Sequence, residues 1–408
     1  MPFTAADCAR ARRDFPALGR IVDGRPLAFL DGPAGTQVPE AVIDAVAGYY
    51  RTANANTHGE FPTSRESDRL LHAVRETVAA FLGAPSWREV SFGQNMTTLN
   101  YALSHALVKE MAPGDEIVIT QLDHEANRGP WLALQERGIT VREVAMRPDG
   151  TLDPDDFARQ VTERTRLVAV VMASNALGTV TDAALARRLA RQAGAWLLLD
   201  AVHYAAHLPL DVQELDADFL LCSAYKFYGP HVGILYARPG LLMQLATERL
   251  RTQEEEAPWR FEMGTLNHAA LAGVKAAVDY LAAWGEGETL RQRIVSGMAG
   301  IAAYEHALGA YYHAEVARIP GVTVWGPDFA GPRAPTVSIT IDGVHPADAA
   351  RHLGEQGLQV WDGHFYALRP IEALGLAEKG GVIRTGIVLY NTHEEVDRLL
   401  AAVAEVAG

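Results

Sequence analysis

The chain has 408 residues, 49% hydrophobic and 21% charged, which is enough to bury large cores in two or three domains. A formal net charge of −14 argues against general binding of nucleic acid or anionic membrane, while leaving room for a local positive pocket. With Cys8 and Cys222 as the only cysteines, a disulfide framework or cysteine zinc site is implausible; we expect a reducing compartment and no bound metal. Residues 1–7 lack the basic and apolar regions of a signal peptide, and no apolar run approaches membrane-spanning length, so the expected location is the cytoplasm.

Residues 1–30 are assigned to an N-terminal arm that packs with a small C-terminal domain. Helical spacing follows at 41–50 and 65–82. Strand-like apolar runs lie at 89–92, 116–120, 140–144, 167–172, 196–199, 219–221 and 233–236, with helical patterns at 100–109, 129–137 and 183–193 between them. This alternation predicts an α/β fold, a mostly parallel seven-stranded sheet with helices on both faces, spanning 31–285. Beyond Leu281 the pattern changes to a long helix at 287–308, strands near 322–324 and 336–341, and helices at 346–356 and 394–406. These predict a smaller α+β domain over 286–408.

Lys226 follows the apolar run ending at Cys222, and Asp200 ends the run Trp196-Leu197-Leu198-Leu199. In an open α/β sheet both would project beyond the carboxyl ends of strands, where ligands bind. A lysine amine forms Schiff bases with aldehydes, and a carboxylate beside a pyridine nitrogen keeps that nitrogen protonated. Either residue alone is an ordinary strand-end or surface residue; the pair points to pyridoxal phosphate (PLP). Its phosphate would need donors at a helix start. Gly93-Gln94-Asn95-Met96-Thr97-Thr98, between a strand and a helical run, fits that need, though it reads equally well as a capped strand-to-helix turn. Ser223 and Tyr225 could add hydroxyls. His124, after the run 117–119, could stack on the pyridine ring and relay protons.

Together these residues resemble the aminotransferase class V family of PLP enzymes, in its cysteine-desulfurase-like branch. The likeness covers nearly the whole chain. It is densest at Pro148-Asp149-Gly150-Thr151-Leu152, Ser174-Asn175-Ala176-Leu177-Gly178, Leu199-Asp200-Ala201-Val202-His203, Ser223-x-x-Lys226, Trp259-Arg260-Phe261-Glu262-Met263-Gly264-Thr265 and Tyr390-Asn391-Thr392-His393. The resemblance implies a fold-type I PLP-dependent transferase and a homodimer. It implies that Lys226 holds the cofactor covalently, that Asp200 meets the pyridine nitrogen and that His124 stacks on the ring. Asn175 and His203 would lie near the phenolic oxygen; Asn95, Met96, Ser223 and Tyr225 would hold the phosphate, with Thr265 reaching the phosphate of the neighbouring subunit. Arg384 would clamp the substrate carboxylate, a task suited to the guanidinium fork. Ala34 and His58 match positions lining the substrate entrance.

Three departures matter. Desulfurases of this branch carry a nucleophilic cysteine in a loop reading Gly-His-His-Cys-Ala or similar; here it reads Gly363-His364-Phe365-Tyr366-Ala367. His203 stands for a common glutamine, and Tyr225 for the usual histidine before the lysine. The resulting expectation is a PLP enzyme acting at Cα of an amino acid. A carbon–sulfur or related β-lyase is favoured; an aminotransferase, an isopenicillin N epimerase-like epimerase, and a weakly catalytic PLP-binding partner protein remain open.

Overall fold

The protein's structure, a computed structural model, describes residues 2–408. Its larger sheet has seven strands: β1 (Val90–Gly93), β2 (Glu116–Thr120), β3 (Thr140–Val144), β4 (Thr165–Val171), β5 (Trp196–Asp200), β6 (Phe219–Ser223) and β7 (Gly233–Ala237). Their spatial order is β1-β7-β6-β5-β4-β2-β3, and only β7 runs antiparallel to its neighbours. The central strands are apolar on both faces because both faces are covered. On β4, Val168 and Val170 enter one core while Leu167 and Ala169 enter the other. On β5, Leu197 and Leu199 point one way and Leu198 the other. Such two-sided burial is what a parallel sheet sandwiched by helices requires. Each fully buried leucine contributes about 1.5–3 kcal/mol.

The second sheet has four antiparallel strands: β8 (Val322–Trp325), β9 (Thr336–Ile341), β10 (Trp361–Gly363) and β11 (Val382–Gly386), ordered β8-β9-β11-β10. The sequence pattern supplied β8 and β9. It did not supply β10 and β11, which are short and set among glycines, and which take their strand identity from pairing with β9 and with each other. Nor did it supply the helix His268–Ala282, whose alanine-rich, largely buried surface has only the Lys275–Asp279 pair as a polar face to give a period.

The long connecting helix runs Leu290–Val316 rather than 287–308. A capping box between Thr289 and Gln292 fixes its start. It passes through Gly309, where a Cβ would come within 2.9 Å of the Phe329 ring; that glycine permits close packing and does not end the helix. Ile294, Met298 and Ile301 belong to the core beneath the large sheet, and Leu308, Tyr312 and Val316 to the core of the small one. One rigid helix therefore joins both bodies. The N-terminal segment ties them as well. The Phe3 ring packs edge-on against Trp284 and Tyr304, the Cys8 thiol donates to the Asn391 carbonyl, and Ala28–Phe29 pairs in parallel with Leu358–Gln359.

Candidate active site

The carboxyl ends of β1, β2, β4, β5 and β6 all open onto one cavity of about 520 Å³. Nine of the residues singled out in the sequence line it: Asn95, Met96, His124, Asn175, Asp200, His203, Ser223, Tyr225 and Lys226. Each lies within a few residues of a strand end, so the parallel strand order brings them together from distant parts of the chain.

At one end of the cavity begins the helix Met96–Leu107. Asn95 caps it, its Oδ1 accepting from the Thr98 N–H at 2.9 Å, and Ser223 Oγ accepts from the Met96 N–H at 2.9 Å. Aligned peptide dipoles make this end attractive to an anion. The turn needs a glycine on the neighbouring strand: a Cβ on Gly233 would sit 2.4 Å from the Asn95 carbonyl carbon.

Lys226 lies in a 3₁₀ turn immediately after β6. Thr36 holds that turn, donating to the Tyr225 carbonyl from both its N–H (3.1 Å) and its hydroxyl (3.2 Å), and its hydroxyl oxygen accepts from the Tyr228 N–H at 2.7 Å. The lysine amine, 8% exposed, donates to the Pro33 carbonyl. Burial, with the nearby Arg384 charge adding to it, pulls the amine down to about 7, against the opposing pull of Asp200 and Asp31. Asp200, 2% exposed, is pushed up to about 7, chiefly by burial and also by Asp123, while a 2.9 Å bond from the Val202 N–H and the charge of Lys226 oppose the rise. Burial, then Lys226 and Arg384, lower His124 to about 4, so its ring is neutral. Its Nδ1 accepts from the Ala126 N–H at 2.9 Å, which leaves the proton on Nε2.

Arg384 comes from β11 in the other domain. It donates to the Asn175 carbonyl at 3.0 Å and lies 3.9 Å over the Phe365 ring. Burial brings its guanidinium down to about 9, with the carboxylate of Asp31 working against that. The Phe365 carbonyl accepts from Asn175 Nδ2 at 3.0 Å, so the loop 363–367 is tied to the cavity wall. Tyr366 stands out from that loop, 71% exposed, its ring 5.8 Å from His124. Ala34 sits in the turn beside Pro33.

His58 and Thr265 are elsewhere. They share an outer cleft with Asp68, Arg75 and Glu262 and do not line the Lys226 cavity. Three residues that the sequence reading passed over belong near the site. Asp31 is a half-buried carboxyl whose charge acts on both Lys226 and Arg384. Asp123 joins β2 to β4 by accepting from the Val171 and Thr120 N–H groups, both at 2.6 Å, and its charge reaches Asp200. Thr336 bonds to His203 at 2.8 Å. Asp31 and Asp123 had a signal, since each follows an apolar strand as Asp200 does; Thr336 had none.

One prediction comes from the amine. Only the neutral amine attacks an aldehyde. With its proton held at about 7, well below the usual lysine value, the rate of covalent PLP incorporation should rise tenfold per pH unit below 7 and level off above it. Stopped-flow absorbance of the apoprotein mixed with PLP checks this. A rate still climbing steeply past pH 9 would show an ordinary exposed lysine.

Comparison with known proteins settles the family. Residues 28–399 match the aminotransferase class V family. The chain belongs to that family. It is 35% identical to the cysteine desulfurase of Serratia proteamaculans (strain 568) and 37% identical to that of Enterobacter sp. (strain 638), each over 97% of both chains. Among solved structures it resembles the apo cysteine desulfurase of Thermococcus onnurineus NA1 with a TM-score of 0.88, at 28% identity and 98% coverage of both chains. It resembles the S-sulfonic acid form of an Escherichia coli cysteine desulfurase with a TM-score of 0.84, at the same identity and coverage. The protein is a class V PLP-dependent enzyme of fold type I. Its cavity fits the cofactor: a helix N-terminus suits the phosphate, a buried acid can face the pyridine nitrogen, and the unpartnered Asn175 Oδ1 and His203 Nδ1 provide polar atoms for a phenolic oxygen.

Proposed function

We propose that this enzyme acts at Cα of an amino acid and expels a substituent from Cβ, as a carbon–sulfur or related β-lyase with no protein thiol to receive the leaving group. The observation that carries the reading is the loop 363–367, which places exposed Tyr366 beside His124 while both cysteines lie far from solvent. Cys8 is 1% and Cys222 0% exposed, and burial raises both thiols above their usual range. Neither can meet a leaving sulfur as a thiolate.

In this reading PLP, held covalently by Lys226, supplies an electron sink for the carbanion at Cα. Arg384 binds the substrate carboxylate and so fixes which bond at Cα faces Lys226. The freed Lys226 amine, poised near neutrality, takes the Cα proton. Asp200 holds the proton on the pyridine nitrogen. His124 would pack on the ring, with its neutral Nε2–H free to donate within the cavity. Asn175 and His203 serve the phenolic oxygen; Asn95, Met96, Ser223 and Tyr225 hold the phosphate. Ala34 and Tyr366 line the substrate entrance; His58, in the outer cleft with Thr265, would meet an entrance only in a second copy. Two unpaired thiols suit a reducing compartment such as the cytoplasm.

The test is incubation with amino acids bearing β leaving groups, with assays for pyruvate, ammonia, sulfide and keto acids. The expected products are pyruvate and ammonia with the released leaving group. A keto acid with aminated cofactor would make it an aminotransferase, an inverted Cα an epimerase, and no turnover of any amino acid a cofactor-binding partner. Replacing Cys8 by Ser and Cys222 by Ala together should leave turnover within about threefold, since surrogate thiol chemistry is absent and both changes remove little volume. A loss of 100-fold with the fold intact would mean that a thiol is the sulfur acceptor after all. Tyr366→Phe should lower turnover roughly tenfold or more if the hydroxyl acts as an acid beside the leaving group; an unchanged rate assigns the ring to packing.

We further propose a homodimer. Thr265 lies outside the Lys226 cavity, and the family resemblance has it reach the phosphate of a second copy; Phe61, Leu250 and Met263 are exposed apolar side chains on nearby segments. Obligate interfaces of this kind bury about 2,000–5,000 Å². Sedimentation should show a dimer at working concentration; a PLP-loaded, active monomer would remove the proposal.

A further inference from the structure

From His203 a buried polar chain runs back behind the cavity, and its other members, Thr336, His207 and Glu305, have no part in the reaction scheme above. His203 Nε2 is 2.8 Å from Thr336 Oγ1, and both residues are almost fully buried. The His203 ring meets that of His207 edge to face, with centroids 4.9 Å apart. His207 Nδ1 in turn lies 2.7 Å from Glu305 Oε2, and Glu305 is wholly buried. No group of three or more metal-ligating side chains among the described residues could hold a metal ion, so these are not ligands in waiting. His203 Nδ1 has no protein partner, and His203 lines the cavity.

Hydrogen-bond accounting decides where the His203 proton sits. The Thr336 hydroxyl has one side-chain partner, His203 Nε2. If Nε2 carried the proton, the hydroxyl would accept it and its own O–H would be buried with nothing to donate to, at a cost of a lost hydrogen bond. If instead the hydroxyl donates to a bare Nε2, that donor is satisfied and the single ring proton moves to Nδ1, which has no protein partner and is met by an acceptor in the cavity that His203 lines. A second proton is opposed from every side: burial first, then the charges of His207, Lys226 and Arg384, depress the His203 imidazole well below its ordinary range. The one carboxylate of the chain, Glu305, bonds to His207 and not to His203.

We infer that Thr336, from the small domain, is a positioning residue that fixes His203 with its proton on Nδ1, so that the large domain presents a hydrogen-bond donor to the phenolic oxygen of PLP. The His207–Glu305 pair holds the ring edge-on and keeps a second proton away. This inference rests on the assignment of His203 to the phenolic oxygen. Its consequence is electronic. A donor at that oxygen draws off negative charge and loosens the proton shared with the nitrogen linking PLP to Lys226. Cofactor protonation is thereby coupled to the small sheet, because Thr336 belongs to β9.

The test has two independent readouts. In the PLP-loaded protein, absorbance is followed against pH to find the midpoint at which the bound cofactor loses its proton. Thr336→Val should raise that midpoint by about one unit, while Thr336→Ser, which keeps the hydroxyl, should leave it near the wild-type value. In a His203→Gln background, whose amide brings its own donor, Thr336→Val should move the midpoint little, showing that Thr336 acts through His203. Separately, ¹⁵N spectra of histidine-labelled apoprotein report the tautomer without cofactor. The expected result is His203 protonated on Nδ1. A His203 protonated on Nε2, or a Thr336→Val midpoint equal to wild type, would overturn the inference. If wild-type protein takes up no PLP, the proposed function fails instead, and the nitrogen spectra still decide the tautomer.

Discussion

Replacing Lys226 by alanine should abolish covalent attachment of PLP and lower turnover by at least the ~10²–10⁴-fold typical of losing a positioned general base. The effect should be larger than that of any other single change, because one side chain performs two tasks. The amine is buried, bound to the Pro33 carbonyl and held near neutrality by its surroundings. Borohydride reduction followed by peptide mass analysis is the direct check. Wild-type protein should carry the reduced cofactor on the peptide containing Lys226, and the variant should carry none, even if PLP stays bound noncovalently. Label on another lysine, or a variant with near wild-type turnover, would defeat the assignment.

Asp200→Ala should retain PLP yet lower turnover by roughly 10²–10³-fold, the loss expected when a preorganised charge opposite developing charge is removed. Asp200 is the last residue of β5, buried, with one carboxylate oxygen accepting from the Val202 N–H. In the unliganded protein burial pushes its proton affinity to about 7, so a basic pyridine nitrogen placed beside it completes a shared-proton pair. Without the carboxylate that nitrogen loses its proton, and the ring becomes a poor electron sink. The readout that isolates this step is exchange of the Cα hydrogen with deuterated solvent, which should slow in parallel with turnover. Exchange at the wild-type rate would mean that Asp200 only packs against the cofactor. Loss of PLP binding would point to a structural role, which the variant's thermal stability without cofactor would reveal.

The two predictions draw on different levels of the chain. For Asp200 and Lys226 the sequence by itself carried most of the argument. Apolar strands of fixed length end at particular residues, the carboxyl ends of parallel strands share one edge, and polar residues just past them must meet there. That logic also placed Asn95, His124 and Ser223, while Asn175 and His203 came from the family resemblance; all five line the one cavity. The seven strand runs were legible for the same reason, since two-sided burial leaves uninterrupted apolar stretches. Tyr366 and the absence of an accessible thiol were visible too: residue identity at a loop position is a property of sequence alone.

Tertiary structure alone decided the rest. Strand β10 is too short to show a period and β11 breaks its apolar run with Arg384 and Thr385; both exist because partners in the small sheet satisfy their backbones. The helix Leu290–Val316 runs past Gly309, a glycine that makes room for Phe329 and not a helix end, a fact held by a residue 20 positions away in the chain. Arg384 reaches the cavity only because β11 brings it against Asn175 and Phe365. Asp31 gained weight from its position between two cations, and Thr336 from a single bond to His203. Nor can sequence supply proton positions: the near-neutral lysine, the raised aspartate and the neutral histidines follow from burial and neighbouring charge. Sequence determined which chemical groups stand at the strand ends. Packing determined the distances and the dielectric between them, and those set which group holds each proton.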